Sequence, residues 1–322
     1  MRQFAKPKIV VSKCLEFDAC RYNAEMIPDV TIRNLQPFVT FIPVCPEVEI
    51  GLGIPRETIR MVEENGIKRL VQPSTREDVT GKMEKFSKDF LQTTSDVDGF
   101  ILKNRSPSCG TRDVKIYAGF EKAPAKGKGS GLFGGAVLKN FSHLPIEEEG
   151  RLSNFIIREH FFTRLFTIAY YKMIKHNKNM KELVSFQSDN KYLFMAYNQV
   201  KQKELGRIIA NHKNEKIEAV FDKYEKSLYE LFIRTPRYTS NVNVCEHIFG
   251  YFKTRLKKQE KDHFFDLIQK YIEKKVPLSS LLAILKSWAL RFDEKYLLRQ
   301  TYFEPYPEAL VEISDSGKGR DY

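Results

Sequence analysis

Three short apolar runs each end in a loop that carries a cysteine, and this limits the folds open to the chain more than any other feature. Lys8 to Val11 runs on to Cys14, Phe38 to Val44 to Cys45, and Val97 to Leu102 to Cys109. Short apolar runs of this kind read as strands. Thr80 to Thr94 reads as an intervening helix, with Met83, Phe86, Phe90 and Leu91 at three- and four-residue spacings. The alternation predicts an α/β N-terminal domain, Rossmann-like, on a mostly parallel sheet. Loops beyond the carboxyl ends of such strands gather on one edge. Three strands, each followed by a cysteine, would bring three thiolates together.

Past Arg151 the period becomes helical. Phe155, Phe162, Leu165, Phe166, Ala169 and Met173 form one apolar stripe, and similar stripes run near 181–198, 217–233, 241–257, 262–273 and 278–290. Pro236, Pro277, Pro305 and Pro307 punctuate the connections. The expectation is an all-α C-terminal domain over 151–322, behind an N-terminal domain over 1–145, with Leu144 to Gly150 as the junction. Ala123 to Gly135 is rich in glycine and lysine but lacks the GxxxxGK[ST] order of a phosphate loop, so it reads as a flexible basic loop.

Charge separates the halves. Residues 1–150 hold 22 basic against 20 acidic side chains; the remainder holds 31 against 21, so nearly all of the net +12 lies behind residue 150. A basic half beside a neutral one suits a polyanion partner, nucleic acid first, or a merely solvated basic face. No apolar window approaches the ~18 residues of a membrane span. The first residues lack the apolar core of a signal peptide. A cytoplasmic, reducing location is expected, where the five cysteines read as metal ligands or reactive thiols.

Three stretches carry the chemistry: Ser12-Lys-Cys14-Leu with Cys20-Arg-Tyr-Asn; Cys45-Pro-Glu47 with Gly51-Leu and Pro55-Arg56; and Ser106-Pro-Ser108-Cys109-Gly110. Proline and glycine fix such loops and expose backbone N–H groups, and Lys13, Lys103 and Arg105 supply nearby positive charge. The chain has no C-x₂-C pair, so a zinc ribbon or thioredoxin-type dithiol is unsupported. In the helical half, Cys245, Glu246 and His247 are adjacent and point to different sides of a helix, so no second metal is expected there.

In order and wording, over roughly residues 7–142, these stretches resemble the 2-thiouracil desulfidase family of small iron–sulfur proteins. The second half resembles a helical family often fused behind it, through Tyr238-Thr-Ser-Asn-Val-Asn-Val-Cys-Glu-His-Ile-Phe-Gly-Tyr-Phe252 and Leu298-Arg-Gln-Thr-Tyr302-Phe. The fused architecture is similar to thiouridine desulfidases acting on 4-thiouridine in transfer RNA. The resemblance implies a 4Fe–4S cluster held by Cys14, Cys45 and Cys109. One iron would lack a protein ligand and act as a Lewis acid toward a thiocarbonyl sulfur. Cys20 is either a fourth ligand or a neighbouring thiol of no essential role.

Glu47, two residues after a ligand, is the candidate acid/base. Ser106 and Ser108 are candidate donors to substrate, or else make local turn bonds. Arg56, Lys103 and Arg105 are candidates for orienting the pyrimidine or a neighbouring phosphate. Arg234, Arg237, Tyr238, Lys253, Arg255, Lys257 and Lys258 mix cations with an aromatic ring and are the candidate RNA contacts. The expected reaction is non-redox desulfuration of 4-thiouridine in tRNA. Competing readings are desulfuration of free 2-thiouracil, a non-catalytic iron–sulfur nucleic-acid-binding or sensor protein, and a thiolation enzyme, for which no P-loop appears.

Overall fold

Ile9, Val10 and Val11 are fully buried, as are Phe100, Ile101 and Leu102. These two runs form the middle of a sheet covered on both faces. The computed structural model describes residues 2–120 and 124–312. With strands numbered along the chain, this sheet has the order β2-β1-β6-β9, all parallel: β1 is Lys8–Ser12, β2 Thr40–Val44, β6 Gly99–Leu102 and β9 Ile146–Glu148. Pro43 pairs with Val11 in β2, an edge strand, where a missing N–H can be tolerated. The connecting helices are α1 (Val30–Leu35), α2 (Pro46–Glu49), α3 (Thr80–Thr93), α4 (Leu132–Phe141) and α5 (Glu149–Leu152). The α3 helix buries Met83 and Leu91, while Phe86 and Phe90 lie 6.1 and 5.9 Å from Phe133 of α4.

A second sheet goes beyond the expected architecture. Its order is β5-β4-β3-β7-β8, with β3 Arg60–Glu64, β4 Ile67–Gln72, β5 Glu77–Asp78, β7 Val114–Tyr117 and β8 Ala125–Gly129. Only β3 and β7 pair in parallel. Asn65 and Gly66 join β3 to β4, with φ of 50° and 79°. This Asn-Gly pair with both residues at positive φ is the favoured hairpin turn.

Two expected loops are strands. The glycine- and lysine-rich stretch expected to be flexible holds β8 and the start of α4; its first residue, Ala123, lies outside the described residues. Pairing with β7 overrides the poor strand propensity of Ala-Lys-Gly-Lys-Gly. The expected junction, 144–150, contains β9, which pairs with β6 at Phe100↔Ile146. Its charged Glu147-Glu148 conceals a strand that lies at a sheet edge.

The chain divides into two compact units: Met1–Ala169 with Ala309–Tyr322, and Tyr170–Glu308. The helices from here on are α6 (Phe155–Asn177), α7 (Met180–Asp189), α8 (Lys191–Tyr197), α9 (Gln199–Ala210), α10 (Ile217–Leu231), α11 (Tyr238–Phe249), α12 (Lys258–Ile272), α13 (Leu278–Arg291) and α14 (Lys295–Leu298). The second unit is packed around Tyr171, Phe186, Tyr224, Phe252 and Trp288. The stripe near 181–198 is two helices, because Asn190 ends α7 and its Nδ2 donates to the Phe186 carbonyl at 2.8 Å. The stripe near 241–257 stops at Phe249 and continues as turns. The second family-like stretch has a structural use: Gln300 donates to the Ser188 carbonyl at 2.9 Å, and Tyr302 donates to Asn241 at 3.0 Å. Among the described residues, no helix is long and apolar enough to cross a membrane.

Candidate active site

Parallel pairing puts the carboxyl ends of β1, β2 and β6 side by side, with Ser12 opposite Val44. The Lys13 N–H donates to the Val44 carbonyl at 2.8 Å, and the Lys103 N–H to Ser12 Oγ at 2.8 Å, which joins the three cysteine loops at their roots. Beyond them lies a cavity of about 390 Å³, and Cys14, Cys20, Cys45 and Cys109 all line it. Cys14 and Cys109, 95 positions apart in the chain, thus share one wall.

Their acidities differ. A hydrogen bond with Cys20, aided by the Val48 N–H at the start of α2, lowers the Cys45 thiol to about 7 against the effect of burial. Burial, reinforced by Cys45, pushes Cys14 up to about 12. Burial pushes Cys109 well above the usual thiol range, and the bond with Cys45 followed by burial raises Cys20. Metal binding has to displace protons from such thiols.

Thiolates are soft ligands suited to iron–sulfur chemistry, so this donor set fits a cluster. Among the described residues, no three His, Cys, Asp or Glu side chains form a group able to hold a single metal ion. A polynuclear cluster meets its thiolates at separate irons, so its ligands need a shared cavity and not a common point.

Glu47 also lines the cavity, one residue into α2, and accepts three hydrogen bonds. Arg56 donates Nε and Nη2 to Oε2 at 2.9 and 2.6 Å, and Ser108 donates Oγ–H to Oε1 at 2.9 Å. The pair is well shielded, with the Arg56 and Glu47 side chains 4% and 14% exposed. Arg56 Nη1 donates to the carbonyls of Cys20 at 2.9 Å and Gly53 at 3.0 Å. The structure therefore uses Arg56 and Ser108 to fix Glu47 in place; Ser108 is fully buried and does not line the cavity. Ser106 does line it, and its Oγ accepts from the N–H groups of Ser108 and Cys109 at 3.2 and 3.1 Å, shaping the third loop.

The other two expected substrate contacts part company. Lys103 Nζ donates to Glu149 and to Asn104 Oδ1, while the Asn104 N–H donates to Glu149 Oε2 at 2.7 Å. Arg105 is exposed on the cavity, with φ of 57° and no hydrogen-bond or ion-pair partner among the described residues. Glu149, Ser12, Tyr22 and Thr58 were absent from the sequence-derived site. Glu149 falls in the acidic run expected to be a junction, and Tyr22 in the stretch Cys20-Arg-Tyr-Asn.

The third cysteine loop is held by α4. The N–H groups of Gly131, Leu132 and Gly134 donate to the carbonyls of Gly110, Pro107 and Ser108 at 2.8, 3.3 and 2.9 Å. This satisfies donors that a helix start leaves open. A Cβ on Gly134 would stand 2.4 Å from the carbonyl oxygens of both Cys109 and Gly110. Gly134→Ala gains about 1 kcal/mol of helix propensity. Overpacking costs about 1–3 kcal/mol, and here the obstacle is backbone, which cannot rotate away, so net destabilisation is expected. Urea unfolding reads it; a variant as stable as the parent would show that α4 is not tightly docked.

The candidate RNA contacts are all exposed. Arg234, Arg237 and Tyr238 lie at the start of α11, and Lys253, Arg255, Lys257 and Lys258 beyond its end, so a helix about 18 Å long separates the two groups. Arg255 pairs with Glu294 and sits 4.6 Å from the Phe292 ring centroid. Among the described residues, Arg234, Arg237, Lys253 and Lys258 have no side-chain hydrogen-bond or ion-pair partner, while Glu260 accepts from the Lys257 N–H at 2.8 Å.

With this geometry in view, the comparisons are specific. The 2-thiouracil desulfurase family model matches residues 9–149, and a family of unknown function, DUF1722, matches residues 191–307. The uncharacterized protein YbbK of Bacillus subtilis (strain 168) is 33% identical over 148 residues, 44% of this chain and 95% of that protein. This chain belongs to the 2-thiouracil desulfurase family. Its helical part is similar to the uncharacterized protein YbgA of Escherichia coli (strain K12), 24% identical over 156 residues, 48% of this chain and 92% of that one. A solved structure, the [4Fe-4S]-dependent thiouracil desulfidase TudS, is 27% identical over 46% of this chain and 93% of its own, with a TM-score of 0.36. The desulfurase match takes in all three cysteine loops, the Glu47–Arg56 pair and β9.

Proposed function

We propose that this chain replaces sulfur by oxygen in a thiolated pyrimidine, and that its substrate is 4-thiouridine within transfer RNA. The single observation that carries this reading is the cavity, where three motif cysteines and a hydrogen-bonded carboxylate share one wall. Cys14, Cys45 and Cys109 would hold the 4Fe–4S cluster. When bound, the cluster supplies a sulfur-seeking Lewis acid for the C=S group.

The residues around it supply the proton chemistry. Glu47 takes a proton from the attacking water and returns it to the departing sulfur. Arg56 and Ser108 hold its two oxygens in place. One water enters, hydrogen sulfide leaves and C=S becomes C=O, so no electrons are transferred overall. Removing the Ser108 hydroxyl (Ser108→Ala) leaves Glu47 and Arg56 paired but loosens the carboxylate. The expected result is a fall in kcat of about tenfold at unchanged cluster content, as for loss of one hydrogen bond of ~1.5 kcal/mol. An unchanged kcat would remove Ser108 from the mechanism.

The decisive experiment reconstitutes the cluster without oxygen and adds thiolated tRNA. Loss of 4-thiouridine absorbance with matching sulfide release supports the proposal. Turnover of free 2-thiouracil alone would move the assignment to the substrate named by the family, and turnover of neither would favour a non-catalytic sensor. The exposed cations Arg234, Arg237, Lys253, Lys257 and Lys258 support an RNA grip. Replacing all five by glutamine is expected to weaken tRNA binding and flatten its salt dependence, by roughly 0.7–0.9 in log–log slope per lost phosphate contact. An unchanged slope would place the RNA contacts elsewhere.

A further inference from the structure

The third cysteine loop leaves β6 at Leu102 and reaches β7 at Val114. Its middle is held by α4, through the carbonyls of Pro107, Ser108 and Gly110. Its two ends are held by a different part of the chain. In the parallel pairing of β6 with β9, Leu102 stands opposite Glu148, so the end of β9 lies where the loop begins.

Two consecutive carboxylates use that register. Glu149 takes the entry: its Oε1 accepts from Lys103 Nζ, and its Oε2 from the Asn104 N–H at 2.7 Å. Glu148 takes the exit: its Oε1 accepts from the Thr111 N–H at 2.6 Å and from Thr111 Oγ1 at 2.9 Å. Glu148, Glu149 and Thr111 are all buried, so water competes little for these bonds. Among the described residues, Glu148 forms no ion pair. A buried carboxylate without a counter-ion is costly to keep, and an apolar side chain would serve simple packing better. Both bonds of Glu148 instead converge on one residue, two positions beyond Cys109.

We infer that Glu148 and Glu149 are positioning residues for Cys109, a two-ended clasp that fixes how this loop presents its thiol to the cluster. For what Cys109 holds, this rests on the cluster reading proposed above. The clasp itself is a property of the loop.

The test uses the full chain in two states. With reconstituted cluster, it follows iron loss to a ferrous chelator and the electron paramagnetic resonance of the dithionite-reduced protein. Without cluster, it follows alkylation of each cysteine by iodoacetamide, read by peptide mass spectrometry. Glu148→Ala is expected to speed iron loss and Cys109 alkylation about tenfold, as for a lost buried hydrogen bond, and to change the resonance. Glu149→Ala, which frees the loop entry, should speed both as well. Cys20, buried in the same unit, should keep the parent's alkylation rate, which separates a loosened loop from a loosened fold. Glu148→Gln should restore parent behaviour, because one amide oxygen can accept both Thr111 bonds. Thr111→Val removes only the hydroxyl bond and should give a smaller rise, about threefold.

Parent rates in Glu148→Ala, or a Glu148→Gln that behaves like Glu148→Ala, would overturn the clasp. Equal acceleration at Cys20 and Cys109 would reduce both carboxylates to supports of the fold at large. Should Glu148→Ala fail to fold, Thr111→Val carries the test, and parent rates in that variant would overturn the clasp too. A parent chain that takes up no cluster would sink the cluster reading, and the alkylation rates would still decide the clasp.

Discussion

Cys45→Ala is expected to abolish cluster binding and desulfuration together. Cys45 caps α2, directly beyond the last residue of β2, and is only 8% exposed. Of the cavity thiols it is the one lowered toward neutrality, to about 7, and the most readily available as a thiolate. Removing it leaves the proposed cluster with two protein ligands. The loss to the fold is small by comparison, about 1 kcal/mol for a typical single substitution. Iron and acid-labile sulfide analysis should then show an empty protein, with sulfide release at background, while circular dichroism and the melting curve stay near those of the parent. A Cys45→Ala protein that kept full iron content would disprove the ligand assignment. Cys20→Ala makes the useful contrast: a full cluster in that variant would leave Cys14, Cys45 and Cys109 as the ligand set.

Changing Glu47 should separate the cluster from the chemistry. Its carboxylate accepts from Arg56 and Ser108 and faces the cavity. Glu47→Ala would leave the shielded Arg56 guanidinium without its counter-ion, a change that costs about 3–5 kcal/mol in fully buried pairs and confuses stability with catalysis. Glu47→Gln is cleaner: its amide oxygen can keep one of these acceptor roles, while the group can no longer carry a proton. The expected fall in kcat is roughly 10²- to 10⁴-fold, the usual contribution of a positioned acid/base, with iron content unchanged. Single-turnover sulfide release on a fully loaded protein measures it. Parent-like turnover in Glu47→Gln would remove Glu47 from the proton chemistry.

Much of the site was legible because its signals are local. Each cysteine loop follows a run whose composition suits a buried strand, and β1, β2 and β6 lie within two residues of the expected positions. Glu47 and Arg56 were legible as types suited to the chemistry, but their mutual ion pair was not, because nothing in a nine-residue separation dictates that contact. Ser108 was expected beside substrate and instead supports Glu47 from a buried position. The Asn65-Gly66 hairpin carries a local signal of its own, an Asn-Gly pair suited to positive φ. The strands β8 and β9 had none, since one is glycine and lysine and the other largely glutamate.

The sequence alone determined β1, β2, β6 and α3, the change to helices in the second half and the three cysteine words, all of which rest on periodicity and on turn-forming residues close to each cysteine. Only the tertiary structure decided that Cys20 joins the same wall, that the glycines at 131 and 134 let α4 dock on the Cys109 loop, and that Glu149 anchors Lys103. The physical reason is common to all three. Hydrogen bonding and close packing between segments far apart in the chain depend on where the sheet brings their backbones, and residue type alone carries no record of that distance.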